Sequence, residues 1–567
     1  MKGRRGPDRV ALCFVAAVLA GCGSSSGSAP DGANSLIREG GLPDTIGGES
    51  KDAGDASDSG EVSDSRDAGD TGEVSDSRDA GDSGDGEAPD LADSGSDQAS
   101  SDGATDAEAG TRRTYALEEA WSATVPSAFA GHIAFSPAVG VAVGIGFTDT
   151  ITLASSDTQA TATAQSNDTD NGDVLVAALA DADGRASISA QLGDQPPQDA
   201  FQAVSAVAVD AQGRTIVAGY FFDTLRVGGA DLSPGPGLQG YVLAIDQQGA
   251  VAWSHLFPLG LSSTGVQALA ADPASGRVFV GGSFNAAADL GCGAQGQPNG
   301  RDGFVEAFDA QGNCVAHLLV DGPGDQAVSD LEVDGAGGVA LAGAFQHGLP
   351  AALDPSGTTI DPGNVNYFVC RLDSSGHPAC PPPLTGSSQI GPPAIAVDGA
   401  GRIAFGAPLA GMLTVGPLAI DGDSTGFDTM VALFAADGRP LWLRGMASGA
   451  AVLATVAFAS TGDVVLGSPF SQSVTLDDFA LQSANDSQDL LLAVLDQADG
   501  RFLFARGAQA TTFAGPLRLV SGAGPDLYLL SFINGPGSLG FGASPVSDPS
   551  DSTWNIISKL RLTTTTP

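Results

Sequence analysis

AVSAVAVDAQGRTIVAGYFFDTLRVGGADLSPGPGLQGYVLAIDQQGAVAWSHLF (residues 203–257) reads as four strands. SAVAVD leads through a DAQG turn into RTIVAGYF, a variable loop follows, and YVLAID leads through DQQG into AVAWSHLF. The runs are rich in β-branched and aromatic residues and are bounded by Asp/Gly turns, as strands of antiparallel hairpins are. The unit repeats. Its first strand ends at Asp210, Asp272, Asp334, Asp398 and Ser460, at spacings of 62, 62, 64 and 62. Its second strand carries Gly219, Gly281, Gly343, Gly406 and Gly467, at spacings of 62, 62, 63 and 61. Two markers with one period define a structural repeat of about 62 residues.

A longer first copy begins near His132 and a last one near Arg518. Third strands occur seven times, from VLVAALA at 174 to WNIISKL at 554, but only six are followed by a fourth. The missing strand lies at the other end, where Ala120-Trp121-Ser122 matches Ala252-Trp253-Ser254. Residues 118–125 are therefore expected to complete the last sheet. The fold class predicted is all-β, a seven-bladed β-propeller of four-stranded blades over residues 114–567, whose ring leaves only short protected edges. The pattern AVD-x-x-G-x-x-x-V-x-G…G-x-V-x-x-x-D-x-x-G-x-x-x-W resembles the SBBP-type β-propeller repeats of bacterial surface lipoproteins. Pro381-Pro382-Pro383 and Ser531 depart from it. For function the resemblance implies little, since fold alone does not carry activity.

Upstream, residues 1–21 are read as a signal peptide: basic Lys2, Arg4, Arg5 and Arg9 precede an apolar run from Val10 to Ala20, too short to span a bilayer. Leu19-Ala20-Gly21-Cys22 resembles the lipobox of bacterial lipoproteins, which implies lipid attachment at Cys22 and export to the outer membrane, on its periplasmic or cell-surface face. Residues 22–113 are expected to be a disordered acidic tether. Residues 51–110 carry nineteen Asp/Glu against three Lys/Arg and repeat GEVSDSRDAGD at 60 and 72; so few apolar side chains cannot offset chain entropy. Stretched out, residues 23–110 reach roughly 300 Å. The whole chain bears −43; the signal contributes +3, residues 23–50 −3 and 51–110 −16, leaving −27 beyond. Such a charge disfavours nucleic acid and anionic lipid as partners.

Four cysteines fall in the repeats. In an exported domain they favour disulfides, and pairs within a repeat, Cys292–Cys314 and Cys370–Cys380, close the shortest loops; the second needs a bulge or turn shift to bring its sulfurs together. His132, His255, His317, His347 and His377 are scattered without ligand spacing. The candidate calcium ligands are Asp168, Asp170 and Asp173 in one loop and Asp421, Asp423 and Asp428 in another, where oxygen side chains alternate around a glycine. Asx turns account for the same pattern, neither loop has an EF-hand's spacing, and no other cofactor is expected. Trp121, Trp253 and Trp442 share one fourth-strand position and are expected to pack between blades. No convergent acid–base set is visible. The function expected is non-enzymatic binding or scaffolding of a protein or envelope glycan through the loops at 155–172, 286–302 and 346–366. The alternatives are a propeller-fold polysaccharide lyase or hydrolase and a purely structural envelope component.

Overall fold

A computed structural model describes residues 113–565 apart from short stretches, chiefly 156–160, 166–171, 194–201, 233–237, 259–264, 358–364, 387–390, 423–426, 450–452, 484–487, 542–545 and 549–552. The signal peptide, Cys22 and the acidic tether lie outside the described residues.

The described residues form seven four-stranded antiparallel meanders, numbered here as blades 1 to 7. Blade 2 matches the reading of the sequence: Gln202–Val209, Thr215–Phe222, Leu238–Ile245 and Val251–Pro258. The first strands of the others begin at Ala128, Val266, Gly324, Ala394, Thr455 and Phe513. Each first strand contacts the first strand of the next blade, and blade 7 returns to blade 1, so the chain is a closed β-propeller. Closure comes from the far end of the sequence. Thr114–Pro126 pairs antiparallel with Thr553–Thr565 as the fourth strand of blade 7.

The apolar core is divided among the seams. Every neighbouring pair of blades, including 7 with 1, encloses its own cluster of buried side chains. This follows from strand alternation: Ala206 and Ala208 face blade 3 while Val204, Val207 and Val209 face blade 1. Two sheets pressed face to face bury both sides, so the strands read as near-continuous apolar runs.

Local chemistry sets the turns. Asp246 accepts hydrogen bonds on Oδ1 from the N–H groups of Gln248 (2.9 Å) and Ala250 (2.8 Å), and Asp210, Asp309, Asp334, Asp373 and Asp398 do the same two and four residues on. The repeated D-x-x-G is thus hairpin chemistry. The tryptophans use these turns. Trp121 Nε1 donates to Asp181 O (3.0 Å) and Trp442 Nε1 to Gln497 O (3.2 Å), each on the third-to-fourth turn of the next blade. A Cβ on Gly312 or Gly500 would come within 3 Å of Trp253 or Trp442. These glycines, already at positive φ, give the indoles their seats. All three rings are buried, as expected.

The second-strand glycine has a cause invisible in the period. In blades 2, 3 and 4 the first strand carries a bulge at Ser205, Gln267 and Ser329. Just before it, a backbone carbonyl crosses the second strand so closely that a Cβ on Gly219, Gly282 or Gly343 would stand about 2 Å from it. The register therefore makes Gly282, not Gly281, the equivalent position in blade 3.

Blade 4 departs most. Its fourth strand is only Pro378–Ala379, and Pro381–Pro383 cannot supply ladder N–H groups. Five other blades bulge between third and fourth strands in this hairpin, and blade 7 does so at Glu119/Trp121. Blade 4 pairs Leu372 with Pro378 and Arg371 with Ala379 without a shift. That register already sets Cys370 opposite Cys380, and the disulfide forms across 4.3 Å between Cα atoms. The bulge expected from the sequence is not needed; its absence aligns the sulfurs.

The connections between second and third strands carry strands of their own. In six blades they fold into small hairpins. The hairpin of blade 2 pairs Arg226 with Gly193 on the outer strand of blade 1, and that of blade 1 pairs Ser155 with Ala123 on blade 7. They cover outer edges that would otherwise stand open.

Candidate functional site

The seven first strands surround a channel whose cavity is about 280 Å³. Their sequences are largely apolar, yet five ionisable side chains belong to them: His132 in blade 1, Asp325, Asp330 and Glu332 in blade 4, and Arg518 in blade 7; Asp325, near the start of its strand, pairs with Arg301 of blade 3 (3.1 Å). Asp330 and Arg518 each follow a bulge directly, at Val328/Asp330 and Pro516/Arg518, and a bulge re-aims the side chains beside it.

Blades 4 and 7 lie on opposite sides of a seven-membered ring. Arg518 spans the space between them, donating from Nη1 to Asp330 Oδ2 (2.7 Å) and from Nη2 to Glu332 Oε1 (2.6 Å). Its side chain is 10% exposed and that of Asp330 7%, while Glu332 is one-third exposed to the cavity. The guanidinium bars the channel.

The innermost strands are sheet edges, and their free N–H groups need acceptors. Neighbouring blades supply them. Ile395 N–H donates to Asp330 Oδ2 (2.8 Å), Leu519 N–H to Thr455 Oγ1 (2.8 Å), Phe458 N–H to Ser521 Oγ (3.2 Å) and Val207 N–H to His132 Nδ1 (3.1 Å). The last bond fixes the His132 tautomer with its proton on Nε2. Burial, aided by the Arg518 charge, holds the imidazole well below its usual pKa, so it is neutral. Burial pushes the Glu332 carboxyl up to about 7, against the pull of Arg518 and with a push from Asp330. A neutral imidazole, a carboxyl near neutrality and a guanidinium thus meet in one cavity.

Sequence spacing missed this set because its members come from three blades. Asp330 and Arg518 are 188 residues apart. The available signal was charge inside otherwise apolar first strands: the Asp and Glu of SDLEVD, the Arg of LRLVS and the His of HIAFSP.

The candidate calcium ligands fall elsewhere. Asp168, Asp170 and Asp423 lie outside the described residues. Asp173 and Asp428 are buried first residues of third strands, Asp173 accepting from Gln191 Nε2 (2.7 Å), whereas Asp421 is exposed at the end of a hairpin strand. A buried polar residue enters the third strand in every blade: Asp173, Gln239, Asp302, Asn366, Asp428, Asp489 and Asn555. Asp489 shows its use, accepting the Ala510 N–H (2.9 Å) from the connection to the next blade. Both expected disulfides are present, Cys292–Cys314 across 5.2 Å and Cys370–Cys380 across 4.3 Å between Cα atoms.

No protein-family model matches the chain, and no curated protein does. Among solved structures it is similar to the Neurospora crassa Pan2 WD40 domain, at 10% identity over 63% of this chain and 89% of that one, with a TM-score of 0.30. It is also similar to Saccharomyces cerevisiae Sqt1, at 8% identity over 79% and 99%, TM-score 0.32. A third is the PQQ-bound aldose sugar dehydrogenase of Streptomyces coelicolor, at 10% identity over 65% and 100%, TM-score 0.30. At these scores the likenesses carry no argument about function; the propeller rests on the strand pairing and the closed ring of contacts.

Proposed function

We propose that the chain is a cell-envelope lipoprotein with SBBP-type repeats, anchored through Cys22 to the outer membrane on an acidic tether. Its propeller acts as a non-enzymatic binding or scaffold module for a protein or an envelope glycan. The observation that carries this reading is the state of the channel groups. Arg518, Asp330 and His132 are each bonded to another blade, which makes a stiff ring and occupies the groups that chemistry would need. A rigid ring presents its rims with little ordering cost on binding. Phe222, Met412 and Phe427 are exposed large apolar side chains, all on the face of the second-to-third-strand connections. That face is the binding surface in this reading.

The test is retention of the intact chain on a panel of envelope polysaccharides and surface proteins, with calcium and with chelator. Saturable retention without product, weakened by Phe222→Ser or by Met412→Ser with Phe427→Ser, is the expected result. Loss of retention with chelator would bring the Asp168 and Asp421 loops forward as calcium sites. Failure of Cys22→Ser to abolish labelling by radioactive fatty acid would remove the anchor.

One observation favours the lyase or hydrolase reading: His132, Glu332 and Arg518 converge on one cavity. It requires product release that Glu332→Gln abolishes. Silence in both assays would leave the structural role.

A further inference from the structure

Blade 3 holds a cluster that the channel does not use and that meets the proposed binding face only through Cys292, in the 286–302 connection. Glu306 lies within the third strand, Gly300–Phe308, flanked on its own face by Phe304 and Phe308, which belong to the apolar seam with blade 2. It is 1% exposed, and its Oε2 has no hydrogen-bond partner. Leaving a carboxyl oxygen unpaired in such surroundings is costly. Burial, with the nearby Asp289 adding, pushes the group up to about 8. Over it sits the Cys292–Cys314 disulfide, with both sulfurs and a Glu306 oxygen all within 4.8 Å of one another. His317 is the cross-strand partner of Glu306 and is exposed.

We propose that Cys292, Cys314 and Glu306 form a redox-gated metal site, which takes a zinc-class divalent ion once the disulfide is reduced. A dithiol reductant supplies two electrons and two protons to the S–S bond and becomes a disulfide itself. Metal entry then displaces the two thiol protons and the Glu306 proton. Two thiolates and one carboxylate are ligands that zinc accepts, and three protein ligands leave a fourth position for water or His317. In the oxidised protein the sulfurs are bonded to each other and the site is shut. The buried carboxyl that has no partner in that state gains one in the other.

The experiment uses the full chain with Cys13→Ser, Cys22→Ser, Cys370→Ser and Cys380→Ser, which leaves Cys292 and Cys314 as the only thiols. Cobalt(II) is titrated into the reduced and the oxidised protein, with circular dichroism confirming strand content in both. The reduced chain is expected to show a thiolate-to-cobalt charge-transfer band saturating at one equivalent and bleached by zinc; the oxidised chain is expected to show none. Glu306→Gln should weaken cobalt binding at least tenfold while keeping the band. Absence of the band in the reduced chain overturns the proposal. So does equal affinity in Glu306→Gln, which is also the result expected if reduction merely unfolds the chain and exposes two free thiols.

Discussion

Blades 4 and 7 both lack a full fourth strand directly after the third, and they are completed by different physics. Blade 7 borrows Thr114–Pro126, and the third strand that receives it carries an ionic cluster. Lys559 bridges Asp526 (3.0 Å) and Asp181 of blade 1, while Arg561 holds Asp526 (2.8 Å). Blade 4 keeps a two-residue strand and is closed by Cys370–Cys380. One join is a long hydrogen-bonded ladder beside an ionic cluster; the other is short and covalent. The core lies between blades, and Thr114–Pro126 adds Tyr115, Leu117, Trp121, Ala123 and Val125 to it, whereas neither Pro378 nor Ala379 belongs to the clusters beside blade 4. Their failures should separate.

The largest effect is expected from removing residues 114–126. Blade 7 then exposes a third strand of thirteen residues as an open edge, and the seam with blade 1 loses Trp121, Ala123 and Val125. The shortened chain should aggregate or unfold without a cooperative transition in thermal circular dichroism. A sharp transition near that of the whole chain would show that blade 7 needs closure no more than blade 4 does.

Next is Arg518→Met, which touches both blades because Arg518 ties one to the other. Truncating one partner of a buried ionic cluster leaves the others uncompensated, at about 3–5 kcal/mol. Urea denaturation at pH 7 measures it, and restoring stability by adding Asp330→Leu and Glu332→Gln would show that the loss came from the stranded carboxyls.

Cys370→Ser with Cys380→Ser should cost about 2–3 kcal/mol, since the loop is short. Dithiothreitol should reproduce the loss in a chain with Cys292→Ser and Cys314→Ser, where Cys370–Cys380 is the remaining propeller disulfide, and urea midpoints with and without reductant measure it.

The smallest effect is local and set by pH. Although burial alone pushes Asp526 up, hydrogen bonds from Arg561 and Lys559 hold it below the ordinary 3.8, and Lys559 and Tyr528 do the same for Asp181. A depressed carboxyl stabilises the fold above its unfolded pKa and loses that contribution as pH falls through the folded value. Below about pH 4, hydrogen exchange should accelerate in the ladder joining Thr114–Pro126 to Thr553–Thr565 before it does in blade 2. Equal acceleration in the two would contradict the ionic account of blade 7.

What could be read from the amino acids divides along the same line. The period, the turns, the borrowed strand and both disulfides were legible because each depends on partners within one repeat or on repeat arithmetic. Trp121 gave the closure away by matching Trp253. The Arg518 bar was illegible because no local pattern records which blades face each other across a ring. Gly282 was misassigned to Gly281 because a bulge changes register without changing composition. The hairpins between second and third strands hid behind short, dissimilar turns such as Gly228-Gly229, Gly416-Pro417 and Asp477-Asp478.

The meeting of residues 114 and 565, whose threonine hydroxyls stand 2.7 Å apart, means that the propeller has no privileged starting point. Joined by a short linker, these positions would make the backbone an endless loop, which could be cut anew between any two blades. A circularly permuted chain opened in the connection between blades 1 and 2 should rebuild the same sheets with every blade drawn from consecutive residues.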